Sequence, residues 1–217
     1  MRKPERPCII DIEASGFGSH SYPIEIGVIN AKGERYCALI KPDADWTHWN
    51  PDAEKIHGIS RELLATCGRP PAQICLELNA FLQGSNAYSD AWSHDSPWLN
   101  RLFYAGRIKA NFFLSAIELI ATEAQLMLWD KTKSHLAKSL KIQRHRASGD
   151  AFLIQQTYIA TRLATTVTSQ AFAYIDTDLS TPAHQITSNT PQISTSKDTS
   201  APEKTLDLPR NQGRHKH

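Results

Sequence analysis

Cys8-Ile9-Ile10-Asp11-Ile12-Glu13-Ala14-Ser15-Gly16-Phe17-Gly18 is the stretch from which the rest of the chain is read. It is an apolar run interrupted by two carboxylates at i and i+2, with a glycine-punctuated turn behind it. A strand repeats every two residues, so Asp11 and Glu13 leave the same face. Two anions side by side on an otherwise apolar strand repel, and they are costly to desolvate unless cations or donors compensate them. A hard divalent cation is one such partner. A solvated edge strand is the plainer alternative, and the remaining sequence decides between the two.

Further along, Arg144-His145-Arg146-Ala147-Ser148-Gly149-Asp150-Ala151 places a histidine five residues before an aspartate, just where a helical pattern begins. Ile154 and Tyr158 recur at i, i+4, with Leu163 beyond. The pattern predicts His145 on the loop entering a helix and Asp150 in its first turns. In Asp95-Ser96-Pro97-Trp98-Leu99, Pro97 is a natural first helical residue. Trp98, Leu99, Leu102 and Phe103 then form a buried stripe, which puts Asp95 at the helix entrance. Asp90, closing a short strand, competes with Asp95 for the same role. His94 reads as a surface or structural histidine.

Taken together, these segments resemble the DnaQ-like 3′-to-5′ exonucleases of the DEDDh subgroup, within the superfamily of RNase T and DNA polymerase III epsilon. The resemblance covers about residues 8 to 160. Asp11-Ile12-Glu13-Ala14-Ser15-Gly16 is similar to the first motif, Asp95-Ser96-Pro97-Trp98-Leu99 to the second, and His145-Arg146-Ala147-Ser148-Gly149-Asp150-Ala151 to the third. Pro23-Ile24-Glu25-Ile26-Gly27-Val28 resembles the second strand, and Ile56-His57-Gly58-Ile59 the loop approaching the nucleic acid end. One motif departs from the pattern: the family carries Ala-His-Asn shortly before the second-motif aspartate, and this chain reads Tyr88-Ser89-Asp90-Ala91-Trp92-Ser93-His94-Asp95.

The resemblance implies an α/β, RNase H-like fold, a mixed β-sheet flanked by α-helices. It implies a metal-dependent enzyme that releases nucleoside 5′-monophosphates from the 3′ ends of single-stranded or frayed DNA or RNA. Asp11, Glu13, Asp95 and Asp150 would hold two Mg²⁺ ions, with Mn²⁺ able to substitute. Asp11 would bridge both, Glu13 and Asp150 would hold the ion that activates water, and Asp95 would act through bound water. Two metals about 3.5 to 4 Å apart suit in-line phosphodiester hydrolysis, and an all-oxygen shell suits Mg²⁺. His145 would be the general base, a task matched to an imidazole pKa near about 6.5; a helix-capping histidine is its plainer reading.

Ser15, Gly16 and Phe17 would receive the terminal nucleotide, with Phe17 stacking on a base, and His57 and Trp98 would contact the penultimate one. Each of these aromatic residues is as readily explained by packing. Trp46 and Trp49 either flank a strand groove or staple their loop to the core. The rival from another class is a non-catalytic, nucleic-acid-binding accessory subunit of a polymerase or RNA-processing complex. For it, Thr205-Leu206-Asp207-Leu208-Pro209 is faintly similar to short sliding-clamp peptides, and a homodimer is a further partner reading.

At 217 residues with 41% hydrophobic content, the chain suffices for one sizeable core. Residues 1–174 are expected to form the exonuclease domain. Residues 175–217, rich in Ser, Thr, Pro, Gln, Asp and Lys, bury too little to offset their ordering entropy and are expected to be a disordered tail. The pattern predicts strands over residues 8–13, 24–30, 35–40 and 87–89. It predicts a helix after Pro71 with Ile74, Leu78, Phe81 and Leu82 on one face, a helical stretch within residues 116–140, and the last helix after His145.

Cys8, Cys37, Cys67 and Cys75 lack Cys-x-x-Cys spacing, which argues against zinc and for a reducing compartment. Neither a signal peptide nor a membrane span is evident, so a cytoplasmic location is expected. Net charge is only +2. Arg101, Arg107, Lys109, Lys131, Lys133, Lys138, Lys141, Arg144 and Arg146 are either a phosphate-tracking flank or ordinary solvated faces.

Overall fold

Strand β1 (Cys8–Ala14) sorts its side chains by the period of two. Cys8, Ile10 and Ile12 enter one core cluster together with Ile24, Ile26, Val28, Leu78 and Leu102, whereas Ile9 enters a second with Ile29, Trp129, Ile154 and Tyr158. Asp11 and Glu13 therefore share the face of Ile9. The computed structural model that shows this describes residues 5–179, with backbone alone beyond residue 167.

Strands β2 (Pro23–Ile29) and β3 (Arg35–Leu39) follow β1 as antiparallel neighbours, and β4 (Ala87–Ser89) and β5 (Leu114–Ala116) add in parallel on its other side. The five-stranded mixed sheet has the order β3-β2-β1-β4-β5. The β2–β3 turn is tied by Asn30, whose Oδ1 accepts from the amides of Lys32 and Glu34, both at 3.0 Å.

Among the described residues six α-helices flank this sheet: α1 (Pro51–His57), α2 (Arg61–Cys67), α3 (Pro71–Leu82), α4 (Trp92–Gly106), α5 (Glu123–Ser139) and α6 (Ala147–Leu179). Helix α6 packs on β1, β2, β3 and α5, while α4 packs on α3 and the sheet. The sequence on β2 lets α6 settle directly on the sheet. A Cβ at Gly27 would stand 2.1 Å from the carbonyl carbon of Ala147, so only a glycine admits the first turn of α6 there.

The expected mixed sheet with flanking helices is the observed architecture. Several elements differ from expectation. Helices α1 and α2 were not foreseen, and Ile56-His57-Gly58-Ile59, expected as a loop, is instead the end of α1 with Gly58 as a left-handed cap at φ 69°. Seven-residue helices offer little periodicity, and their signals are caps: Asn50 accepts from the amide of Asp52, and Ser60 from that of Leu63.

Strand β5 was also missed, whereas the helical stretch expected within residues 116–140 is present as α5, starting at Glu123 behind a capping box of Thr122 and Gln125. Pro97 is not the first helical residue, since α4 starts at Trp92. Its missing N–H costs only the bond to the carbonyl of Ser93, an exposed residue in the first turn. The last helix reaches Leu179, so residues 175–179, expected in the tail, are helical. The remainder of that tail, with Thr205 to Pro209, lies outside the described residues.

Candidate active site

One cavity of about 300 Å³ is lined by Asp11, Glu13, Asp95, His145 and Asp150. These residues come from three elements and a loop. Asp11 and Glu13 project from β1, Asp95 sits in the first turn of α4, Asp150 in the first turn of α6, and His145 on the loop before it. Across β1 and β2, Glu13 pairs with Glu25 and Asp11 with Gly27. The glycine that admits α6 thus also brings Asp150 toward the β1 carboxylates.

Each carboxylate is held differently. Asp95 is buried and accepts a hydrogen bond from the Ser89 hydroxyl, which itself accepts from the Ala91 amide at 2.9 Å. Asp90 lines the same cavity but is paired: Lys133 of α5 bridges to it at 2.5 Å, and the Trp129 indole donates to it at 3.4 Å. Asp150 accepts from Arg144 Nε and from the backbone amide of His145, both at 2.6 Å. His145 is exposed and adopts φ 60°, a region in which residues other than glycine are uncommon.

The electrostatics are those of an under-compensated anionic site. Desolvation, then Asp95, Glu13, Asp150 and Asp90, hold the Asp11 carboxyl well above the usual range. Glu13 is pushed up to about 7, by desolvation first and then by Asp150 and Glu25. Asp95 is also raised, chiefly by burial with Asp90 adding, against the hydrogen bonds from Ser89 and the Ile12 backbone. A cluster that resists ionisation when alone is one that a multivalent cation relieves. Among the described residues the ligand atoms that gather within 4.8 Å of one another are those of Glu13, His145 and Asp150; Asp11 and Asp95 line the same cavity without joining that group.

Of the expected substrate residues, Gly16, Phe17, His57 and Trp98 line the same cavity, and Ser15 does not. Ser15 is buried and spent on the fold. Its amide donates to the Tyr22 carbonyl at 2.9 Å, and its Oγ meets the Tyr22 amide at 3.1 Å and His48 Nδ1 at 3.2 Å. Phe17 is 69% exposed. It meets His94 edge-on at 5.8 Å, and His94 meets Trp98 at 5.9 Å, so the three rings form one ledge at the cavity. His94 was read as a surface histidine; it is exposed, and it is also the middle of this ledge.

His57 is buried, and its Nδ1 accepts from the Ile59 amide at 3.0 Å. That bond assigns the proton of the neutral ring to Nε2, which has no hydrogen-bond partner. Burial lowers the pKa of this imidazole, against Glu54 and Glu25. The Trp46 and Trp49 pair is a staple: Trp46 stacks on Tyr22 at 5.3 Å and the Trp49 indole donates to Glu54 at 2.6 Å.

Several of the basic residues expected as a flank are committed internally. Arg101 donates to the Ser21 carbonyl at 2.8 Å, Lys133 pairs with Asp90, Arg144 with Asp150 and Arg146 with Glu25. Lys133 and Arg144 line the cavity, a role that only their number among the cations between the second and third motifs could have suggested.

No family model matches the chain, and no curated protein matches its sequence. Solved structures do match. Exonuclease I of E. coli in complex with a dA16 oligonucleotide has a TM-score of 0.54 at 17% identity, over 78% of this chain and 42% of that one. The zinc-bound form of the E. coli ExoI–ssDNA complex has 0.54 at 16% identity, over 79% and 43%. A moderately thermophilic exonuclease I from Methylocaldum szegediense has 0.50 at 17% identity, over 70% and 38%. The chain spans less than half the length of these structures, and what it shares with them is the fold.

Proposed function

We propose that this chain is a 3′-to-5′ exonuclease, metal-dependent, that releases nucleoside 5′-monophosphates from single-stranded or frayed nucleic acid. The observation that carries the reading is the meeting of Asp11, Glu13, Asp95, Asp150 and His145 in one cavity beside an exposed aromatic ledge. The shared fold adds support, because the matched exonuclease I structures include complexes with oligonucleotides.

Asp11, Glu13, Asp95 and Asp150 would hold the metal, and their oxygen donors suit Mg²⁺, with Mn²⁺ as a substitute. When bound, two such ions neutralise charge on the attacking and leaving oxygens and supply a nucleophile at neutral pH. Asp95 is preferred to Asp90 because, of the neighbouring carboxylates, it acts most strongly on Asp11 and Asp90 least, and because it is oriented by a neutral hydroxyl.

His145 takes the proton of the attacking water. It is exposed enough to pass that proton to solvent, and its backbone amide is fixed by donating a hydrogen bond to the Asp150 carboxylate. Phe17, His94 and Trp98 offer ring faces to successive bases, which serves any sequence. His57 lines the cavity, and its buried Nε2, without a hydrogen-bond partner among the described residues, would donate to a substrate group only once one displaces its surroundings.

The test is hydrolysis of 5′-labelled DNA and RNA oligonucleotides with Mg²⁺ or with EDTA. A ladder shortening from the 3′ end, abolished by EDTA and by a 3′-phosphate, is expected. Internal cuts or degradation of circular strands would show an endonuclease. Binding without turnover would leave a nucleic-acid-binding module.

A further inference from the structure

Glu25 is a buried carboxylate that the proposed hydrolysis does not use. It stands on β2 opposite Glu13, with its side chain 1% exposed. A carboxylate buried this deeply is costly unless it is paired and hydrogen-bonded, so its partners indicate what it is there to hold.

Among the described residues, apart from the Cys37 thiol at 3.6 Å, the hydrogen-bond partners of the Glu25 side chain belong to the segment just after His145. Arg146 Nε donates to its two oxygens at 3.2 and 3.1 Å, Arg146 Nη2 to Oε1 at 2.7 Å, and the Ala147 amide to Oε2 at 2.9 Å. Arg35 of β3 holds the next residue, through the Ser148 carbonyl at 2.5 Å. On the other side of His145, the Arg144 side chain and the His145 amide are both fixed to Asp150. The loop is pinned on each side of a residue whose own φ of 60° is uncommon for a side-chain-bearing residue.

We propose that Glu25 is a positioning residue for His145, its grip on Arg146 and on the Ala147 amide holding the imidazole beside Glu13 and Asp150. This rests on the reading of His145 as the base. A guanidinium fork on a carboxylate fixes direction as well as charge, which a single ammonium contact does not. Glu25 touches none of the reacting atoms and acts through the backbone next to His145.

The variants are Glu25→Gln and Arg146→Lys. Gln keeps one acceptor for the Ala147 amide and loses the fork, and Arg146, 41% exposed, turns to water, so both chains are expected to fold. With oligonucleotide substrate and Mg²⁺, E25Q should lose about 10²-fold in kcat, the scale of a misplaced catalytic group, with KM within about twofold. R146K, which keeps the charge and loses the fork, should fall with it. Limited trypsin digestion reads the loop without activity: cleavage after Arg144 and after residue 146 should be about tenfold faster in E25Q.

In an H145A background, read by single turnover with excess enzyme, E25Q should cost nothing further. Unchanged kcat in E25Q, a loss carried in KM, or the same loss with and without His145 each overturns the proposal. A wild-type chain that hydrolyses no oligonucleotide overturns the functional reading instead, and the digestion rates still report whether Glu25 pins the loop.

Discussion

Gly27 lies directly beneath Ala147: a Cβ at position 27 would stand 2.1 Å from the Ala147 carbonyl carbon and 2.2 Å from the Ser148 amide nitrogen. Gly27 is also the cross-strand partner of Asp11. One missing side chain therefore sets how closely the first turn of α6, with Asp150, approaches the β1 carboxylates.

Gly27→Ala should accordingly displace α6 from the sheet. The neighbouring atoms are backbone and cannot swing aside, so the loss of stability should be about 1 to 3 kcal/mol, the usual cost of forcing atoms into a packed interior. Turnover should fall further than stability, because the site is misassembled in the molecules that remain folded. Denaturant unfolding alongside initial rates checks this; a variant with wild-type rates would show that Gly27 does not set the position of Asp150.

Asp95 and Asp90 are separated by what neutralises them. Asp95→Asn should abolish turnover, while Asp90→Asn should keep rates within about tenfold of wild type, since Asp90 is occupied by Lys133 and Trp129. The Asp90 change should instead cost stability, because Lys133, only 19% exposed, loses its partner. Rates and unfolding curves of the two variants decide it, and the reverse pattern of rates would move the metal role to Asp90.

The charge cluster predicts a pH dependence of the metal-free protein. Glu13 rises from its ordinary 4.5 to about 7 on folding. Below about 4.5 both folded and unfolded chains carry the proton, and between about 4.5 and about 7 only the folded chain does. Glu13 therefore contributes relative stability at low pH that is lost as pH rises through about 7. Asp11 and Asp95, raised for related reasons, act in the same direction. In EDTA, Tm should fall as pH rises across this window. Mg²⁺ binds the ionised form, so it should flatten that slope and add about 2.7 kcal/mol at a hundredfold excess over Kd. A Tm indifferent to Mg²⁺ at neutral pH would count against the metal site.

What the sequence disclosed follows from the range over which each signal acts. Asp11 and Glu13 were legible because the strand period is local, and their shared face is confirmed by the opposite sorting of Ile9 and Ile10. The loop position of His145 and the first-turn position of Asp150 were legible from the onset of the α6 pattern. Helices α1 and α2 were not, because seven residues carry caps and little periodicity. The setting of Ser15 was not legible, since its hydroxyl is engaged by His48 and the Tyr22 amide, one of them distant in sequence. Glu25 was read as part of a strand. Its partner Arg146 is 121 residues away, and nothing local marks such a pairing beyond the oddity of a glutamate in Pro23-Ile24-Glu25-Ile26-Gly27-Val28.

The aromatic ledge predicts how substrate is held. Phe17 is largely exposed, and its ring leans on His94, which leans on Trp98. Trp98 is anchored by its indole to Ser21 at 2.8 Å, and Ser21 in turn to the Gly18 carbonyl at 2.6 Å, so the ledge is tied to the turn that carries Phe17. Phe17→Ala and His94→Ala remove exposed rings and should leave folding intact. A stacked base is worth about 1 to 3 kcal/mol, which at about 1.4 kcal/mol per tenfold is a loss of about 5- to 150-fold in affinity. That loss should be carried in KM with kcat nearly unchanged, since the rings touch bases and not the scissile bond. It should be similar for dA and dT homopolymers, because every base offers a π face. Saturation kinetics on the two oligomers make the comparison, and a loss confined to kcat, or to one base, would show that the ledge does something other than stack the strand.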